Sequence, residues 1–183
     1  MLNRLNASLP TRILTSLLTG LLTAITVGNT QLPAETPSVT LLFPPVVQAG
    51  KSSTITVSGD QLGTITQLLS AHGELETKSV DKHRVTVQAA AGSEPGRLDV
   101  WTMTSNGLAN PRSLLVVTHP VLVISETPDP EASLVPVPGT VAAKLDRHAD
   151  RDAFAFDGKT GQWIHITCRS QSLDGKVAPI LSV

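Results

Sequence analysis

Apolar and polar residues alternate with a period of two over much of this chain, the signature of strands with one face buried. In "SSTITVSG" Ile55 and Val57 fall on one face and Thr54, Thr56 and Ser58 on the other. "HRVTVQAA" repeats the pattern with Val85 and Val87. "GRLDVWTMTSNG" places Leu98, Val100 and Thr102 on one face and Trp101 and Met103 on the other. "SVTLLF" is a β-rich run closed by Pro44-Pro45, and "RSLLVVTHP" is an apolar strand ended by Pro120. Gly59-Asp60 and Asn106-Gly107 are the turn signals between these runs. "LGTITQLLSAHGE" fits either a short helix or a strand. Short strands about every ten residues, with turn residues between them, predict a β-sandwich.

A second alternating series follows. "ETPDPEASLVPVPG" carries four prolines and three acids, and proline neither donates to a ladder nor continues one, so an extended linker is expected. Beyond it, "GTVAAKL" reads as a strand and "DRHAD" as a polar turn. "DAFAFD" puts Phe154 and Phe156 on one face, where they are expected to form core. Asp157-Gly158 and Thr160-Gly161 turn the chain. "QWIHITC" then sets Ile164, Ile166 and Cys168 against Trp163, His165 and Thr167. Trp101 and Trp163 lie opposite the stronger apolar faces, which leaves open exposure or burial between sheets or domains, the usual fate of a Trp.

Composition narrows the picture. The 183 residues are enough for one medium or two small domains. Hydrophobic residues make up 40% and aromatics only 3%, so the cores must be built from Val, Leu, Ile and Ala. The formal net charge is -1 with scattered Lys and Arg, and no basic patch tracks a phosphate backbone, so no nucleic-acid partner is expected. Cys168 is the single cysteine, which rules out an intrachain disulfide and the usual cysteine-rich zinc sites. Its expected role is a small buried residue.

The first 35 residues differ from the rest. Arg4 and Arg12 precede an uncharged apolar run from Ile13 to Gly28, and the first acid is Glu35. A basic segment before a short apolar one is the pattern of a secretory signal peptide helix. The run is short for a spanning helix, which needs about 20 apolar residues, so an uncleaved anchor is the rival reading. The mature chain is expected outside the cytoplasm (secreted, at the cell surface or in the periplasm), with no membrane contact after cleavage.

Two family resemblances attach to these motifs. "PSVTLLFPPVVQAGKSSTITVSGDQLG" followed by "EPGRLDVWTMTSNGLANPRSLLVV" resembles the IPT/TIG family of immunoglobulin-like domains, with its glycines and Asn110 where that pattern has them. The order "P..TV...L......D.DAF.F....GQ....I......L" resembles the bacterial pre-peptidase C-terminal domain family, a jelly-roll-like sandwich appended to exported proteins. "APILSV" is similar to a strand in the middle of that domain, so the chain is expected to be a fragment or a shortened product. The expected fold class is thus all-β, an immunoglobulin-like β-sandwich followed by a partial jelly-roll-like β-sandwich. The expected divisions are a signal peptide at 1–35, the first sandwich at 36–118, a linker at 119–139 and the truncated second module at 140–183.

Candidate chemistry is sparse. Neither "GxSxG" nor "HExxH" occurs, and His72, His83, His119, His148 and His165 are scattered singly, so no active site can be named. His148, Asp150 and Asp152 alternate and would share a face of an extended chain. Closely spaced carboxylates in a loop suit a hard cation such as calcium. The related collagen-binding domains of bacterial collagenases bind calcium between an acidic linker and aspartates ahead of the "F.F" strand. By that resemblance Asp150 and Asp152 match the aspartates, while Glu126 and Asp129 are comparable to the linker ligands. The competing reading is a solvated turn in which the Asp side chains accept local backbone N–H groups. The families imply a non-catalytic binding or targeting module whose partner is a protein, a polysaccharide or a cell surface. The alternative is the N-terminal region of a larger secreted hydrolase or protease.

Overall fold

The computed structural model describes residues 36–71, 75–124, 134–145 and 151–183. Residues Glu35–Val183 form one contact unit. It is an all-β sandwich. One sheet has the order β1-β3-β6-β5, built from β1 (Ser38–Phe43), β3 (Ser52–Asp60), β6 (Arg84–Ala89) and β5 (Leu75–Ser79). The other has the order β2-β9-β7-β4, built from β2 (Val46–Gln48), β9 (Arg112–Val117), β7 (Gly96–Thr104) and β4 (Ile65–Ser70). β8 (Gly107–Leu108) folds back on β7 as the hairpin that Asn106-Gly107 announces. Lettered by sequence, the sheets are ABED and A′GFC, the strand order of an immunoglobulin-type sandwich.

The alternating faces are the ones that meet. Ile55 and Val57 of β3, Val85 and Val87 of β6, Val100 and Thr102 of β7, and Leu114 and Val116 of β9 are all buried between the sheets. The core is aliphatic, as the shortage of aromatics requires, and among the described residues Phe43 is the one aromatic that is buried. Burying a Val, Leu or Ile side chain contributes roughly 1.5–3 kcal/mol each, so this cluster dominates the stability of the unit. The ambiguous "LGTITQLLSAHGE" yields β4, with Ile65 and Leu68 in the core.

Pro44 and Pro45 mark where the chain changes sheets. Neither can donate to a ladder. β1 ends at Phe43 in the first sheet, and β2 begins at Val46 in the second, parallel to β9. Val47 then points into the main core, while Val46 joins a smaller cluster with Val117 and Ala142. That cluster lies on the outer face of β2 and β9. It is covered by a two-stranded parallel ribbon, β10 (Val121–Val123) with β11 (Thr140–Ala142). β10 therefore forms inside the expected linker, because the apolar outer face of β9 gives it something to cover. His119 Nε2 lies 2.6 Å from Thr140 Oγ1, and Lys144 Nζ sits 4.4 Å above the Phe43 ring, which ties the ribbon to the sandwich.

Two expectations need correction here. Gly59 and Asp60 do not turn the chain; they pair with Val39 and Ser38 at the end of β3. β1 has a bulge between Val39 and Leu41, and a Cβ on Gly59 would collide with the Ser38 carbonyl, so glycine there serves a close approach of two strands. The reversal comes later, at Gln61 and Gly63, both with positive φ. The second correction concerns the partial jelly roll. Among the described residues, the stretches expected as strands at "DAFAFD" and "QWIHITC" form no ladder beyond a single bridge between Leu134 and Ala155. The only other regular element there is a 3-10 turn at Gln171–Leu173. Alternation creates two faces, but a strand also needs a neighbour for its backbone groups.

Candidate functional site

The residues singled out for calcium are only partly in view. Glu126, Asp129 and Asp150 lie outside the described residues. Asp152 is half-buried at the start of the "DAFAFD" stretch. Among the described residues, no three His, Cys, Asp or Glu side chains come close enough together to hold a metal ion.

The turn after that stretch is well formed. Gln162 N donates to the Lys159 carbonyl at 2.9 Å, closing a four-residue turn. Gly161 takes φ +81 at its third position, as a type II turn requires and as few other residues do without strain. The Gln162 side-chain carbonyl accepts from Lys159 N at 2.9 Å, so the turn is pinned from both ends. The "DGKTGQ" motif therefore does what its glycines suggest. On the other side, Val135 N donates to the Ala155 carbonyl at 2.7 Å and holds the Leu134–Val137 segment alongside.

An open groove of about 500 Å³ lies between these two segments. Leu134, Val135, Pro136 and Val137 give it one apolar wall, and Asp157, Lys159 and Gln162 give it a polar one. One carboxylate and one ammonium on this wall cancel in formal charge. Trp163 follows the pinned turn directly and is 97% exposed. A Trp is seldom left so open, since its indole has more apolar area to bury than any other side chain.

The neighbouring positions differ from the sequence reading. Phe154 is 36% exposed and Phe156 half-buried, so they do not form a closed core. Cys168 is exposed rather than buried. His165 is exposed and lies outside any strand. Each has the same cause: among the described residues no sheet stands opposite this stretch. Trp101 is half-buried on β7. His72 and His148 lie outside the described residues.

One polar cluster escapes the sequence reading, although its turn motif is present. Asp81 accepts from His83 N at 2.9 Å, Arg84 N at 2.8 Å and Arg84 Nε at 2.5 Å, organising the turn between β5 and β6. The His83 backbone N–H, and then the Arg84 side chain, hold its carboxyl below the ordinary carboxylate range. An aspartate two residues ahead of the N–H it accepts is an Asx turn, and "DKHR" carries that signal. The cluster is exposed and structural.

Among the described residues no helix is long and apolar enough to cross a membrane. No protein-family model matches the chain, and no curated protein does. Solved structures are similar to part of it, two of them as follows. One is the γ-CGTase of alkalophilic Bacillus clarkii, at 14% identity and a TM-score of 0.36 over 50% of this chain. The other is the SGBP-B protein of the Bacteroides ovatus mixed-linkage glucan utilization locus, solved with a mixed-linkage heptasaccharide, at 16% identity and a TM-score of 0.31 over 52% of this chain. The matches span 14% and 24% of the lengths of those proteins.

Proposed function

We propose that this chain is an extracytoplasmic, non-catalytic recognition module whose ligand is a polysaccharide. The carrying observation is Trp163, fully open to solvent and directly following Gln162, which pins the turn and lines the half-apolar groove. An indole presents a flat apolar face on which the C–H side of a sugar ring stacks, and the groove's carboxylate, ammonium and amide can bond its hydroxyls. The scaffold supports the same reading, because a rigid sandwich displaying loops is a common way to hold a recognition surface. Export is supported by the basic-then-apolar N-terminus. The resemblances to the IPT/TIG and pre-peptidase C-terminal families support a module that works beside an effector.

The test is retention of the chain on a panel of insoluble polysaccharides, with Trp163→Ala as the control. Loss of the indole should weaken retention at least about tenfold, near 1.4 kcal/mol. Equal retention of both proteins, or none on any polysaccharide, sinks the proposal.

One observation favours a second reading, the N-terminal region of a larger secreted hydrolase. Ile166, Val177, Ile180 and Leu181 are exposed within one stretch, as they would be if another domain covered them. The coding sequence downstream of Val183 decides between the two readings: a hydrolase domain in frame favours the second.

A further inference from the structure

β9 presents the backbone groups of Ser113, Leu115 and Val117 to the side where β2 lies. Leu115 N donates to the Pro45 carbonyl at 2.9 Å, and the Val117 carbonyl accepts from Ala49 N at 2.8 Å. One step back along this edge the ladder has no strand to continue it, because the chain before Pro45 has crossed to the other sheet as β1. Ser113 N is the donor left over, on a residue only 4% exposed. An unmatched buried N–H costs roughly 1–3 kcal/mol. It is matched by a side chain 61 residues away: Asp174 Oδ2 accepts from Ser113 N at 2.6 Å.

Asp174 is held for that contact by its own loop. It caps the 3-10 turn in the left-handed region, with φ +61. Leu173 N and Gly175 N both donate to the Ser170 carbonyl, at 2.8 and 2.9 Å, and Ser170 Oγ donates to the Val177 carbonyl at 2.7 Å. Leu173 and Asp174 close over Thr40, Leu42 and Arg112 with a residual space of only about 10 Å³, no more than one water molecule would occupy. The flanking Arg169 and Lys176 are exposed.

We propose that Ser170–Gly175 is a detachable strap and that Asp174 is its latch. The carboxylate takes the place of a strand carbonyl on the β9 edge. Among the described residues the strap is held by the charge-assisted hydrogen bond of Asp174 and by the half-buried Leu173, so it opens without unfolding the sandwich. Its release uncovers a ladder position on β9 and frees the C-terminal stretch at the same time.

The experiment compares the full chain with its Asp174→Ala and Asp174→Asn variants by residue-resolved amide exchange and by limited trypsin digestion. In Asp174→Ala, Ser113 should exchange at least about tenfold faster while Leu115, bonded to Pro45, keeps its rate. Cleavage after Arg169 and Lys176 should accelerate by a similar factor. Asp174→Asn retains an acceptor oxygen and should fall between the two. The proposal is overturned if Ser113 exchange is unchanged, or if Leu115 accelerates equally, which would mean general destabilisation rather than a latch.

Discussion

The side chain of Asn110 grips the backbone of Val39 at both ends: Val39 N donates to Oδ1 at 2.7 Å, and Nδ2 donates to the Val39 carbonyl at 3.1 Å. An amide thereby acts as a strand partner at the β1 bulge, where the regular ladder is interrupted. Arg112 adds Nε and a terminal guanidinium nitrogen to the same carbonyl, at 2.8 and 2.6 Å. Asn110→Ala leaves the Val39 N–H without its acceptor and should cost about 1–3 kcal/mol, measured as a lower urea midpoint with an unchanged slope. Asn110→Asp keeps the acceptor for Val39 N but turns a carboxylate oxygen toward the Val39 carbonyl, so it should not restore the wild-type midpoint.

The two apolar clusters expected from the sequence should respond unequally to truncation. Ile55 is fully buried, and Ile55→Ala should destabilise the sandwich by about 2–5 kcal/mol. Phe154 packs against no closed core, and Phe154→Ala should change stability by less than about 0.5 kcal/mol. Thermal or urea melts of the two variants decide this. A large loss at Phe154 would mean that the second stretch does pack as a domain.

Amide exchange should grade along the chain. β3, β6, β7 and β9 bury their apolar faces and lie between two neighbouring strands, so their amides, Ser113 under the strap apart, should open only with the whole sandwich. Residues 151–183 have few backbone partners and many exposed apolar side chains, and most should exchange by local opening. Equal protection in the two regions would contradict this.

Acid should act through Asp81. Its folded carboxyl titrates below the ordinary value, so its contribution is fully present above the unfolded value and is lost as pH falls through the folded one. Melting temperatures measured from pH 6 down to pH 2 should fall less steeply for Asp81→Asn than for the wild type. Parallel curves would show that the cluster does not contribute.

The sandwich was largely legible because its central strands alternate strictly. Ile55, Val57, Val85, Val87 and Val100 were placed on the right faces by spacing alone. β5 left no signal, since "LETKS" is an edge strand with little to bury. Its Thr77 and Ser79 hydroxyls donate instead to the Leu68 and Ile65 carbonyls of β4, a link between sheets that no local pattern encodes. The strand change at Pro44-Pro45 was visible as a break but not as a crossing. At the candidate site the turn was legible and the exposure of Trp163 was not. Spacing tells which residues share a face, whereas burial depends on what stands opposite.

The parallel pairing of β2 with β9 has a mechanical side. β2 lies near the start of the sandwich and β9 near its end. Tension applied to the two ends drags these strands in opposite directions along their own axes. The Val46–Leu115, Val47–Val116 and Gln48–Val117 steps then carry load together instead of parting one by one. The joint behaves as a lap seam under shear rather than as a zip.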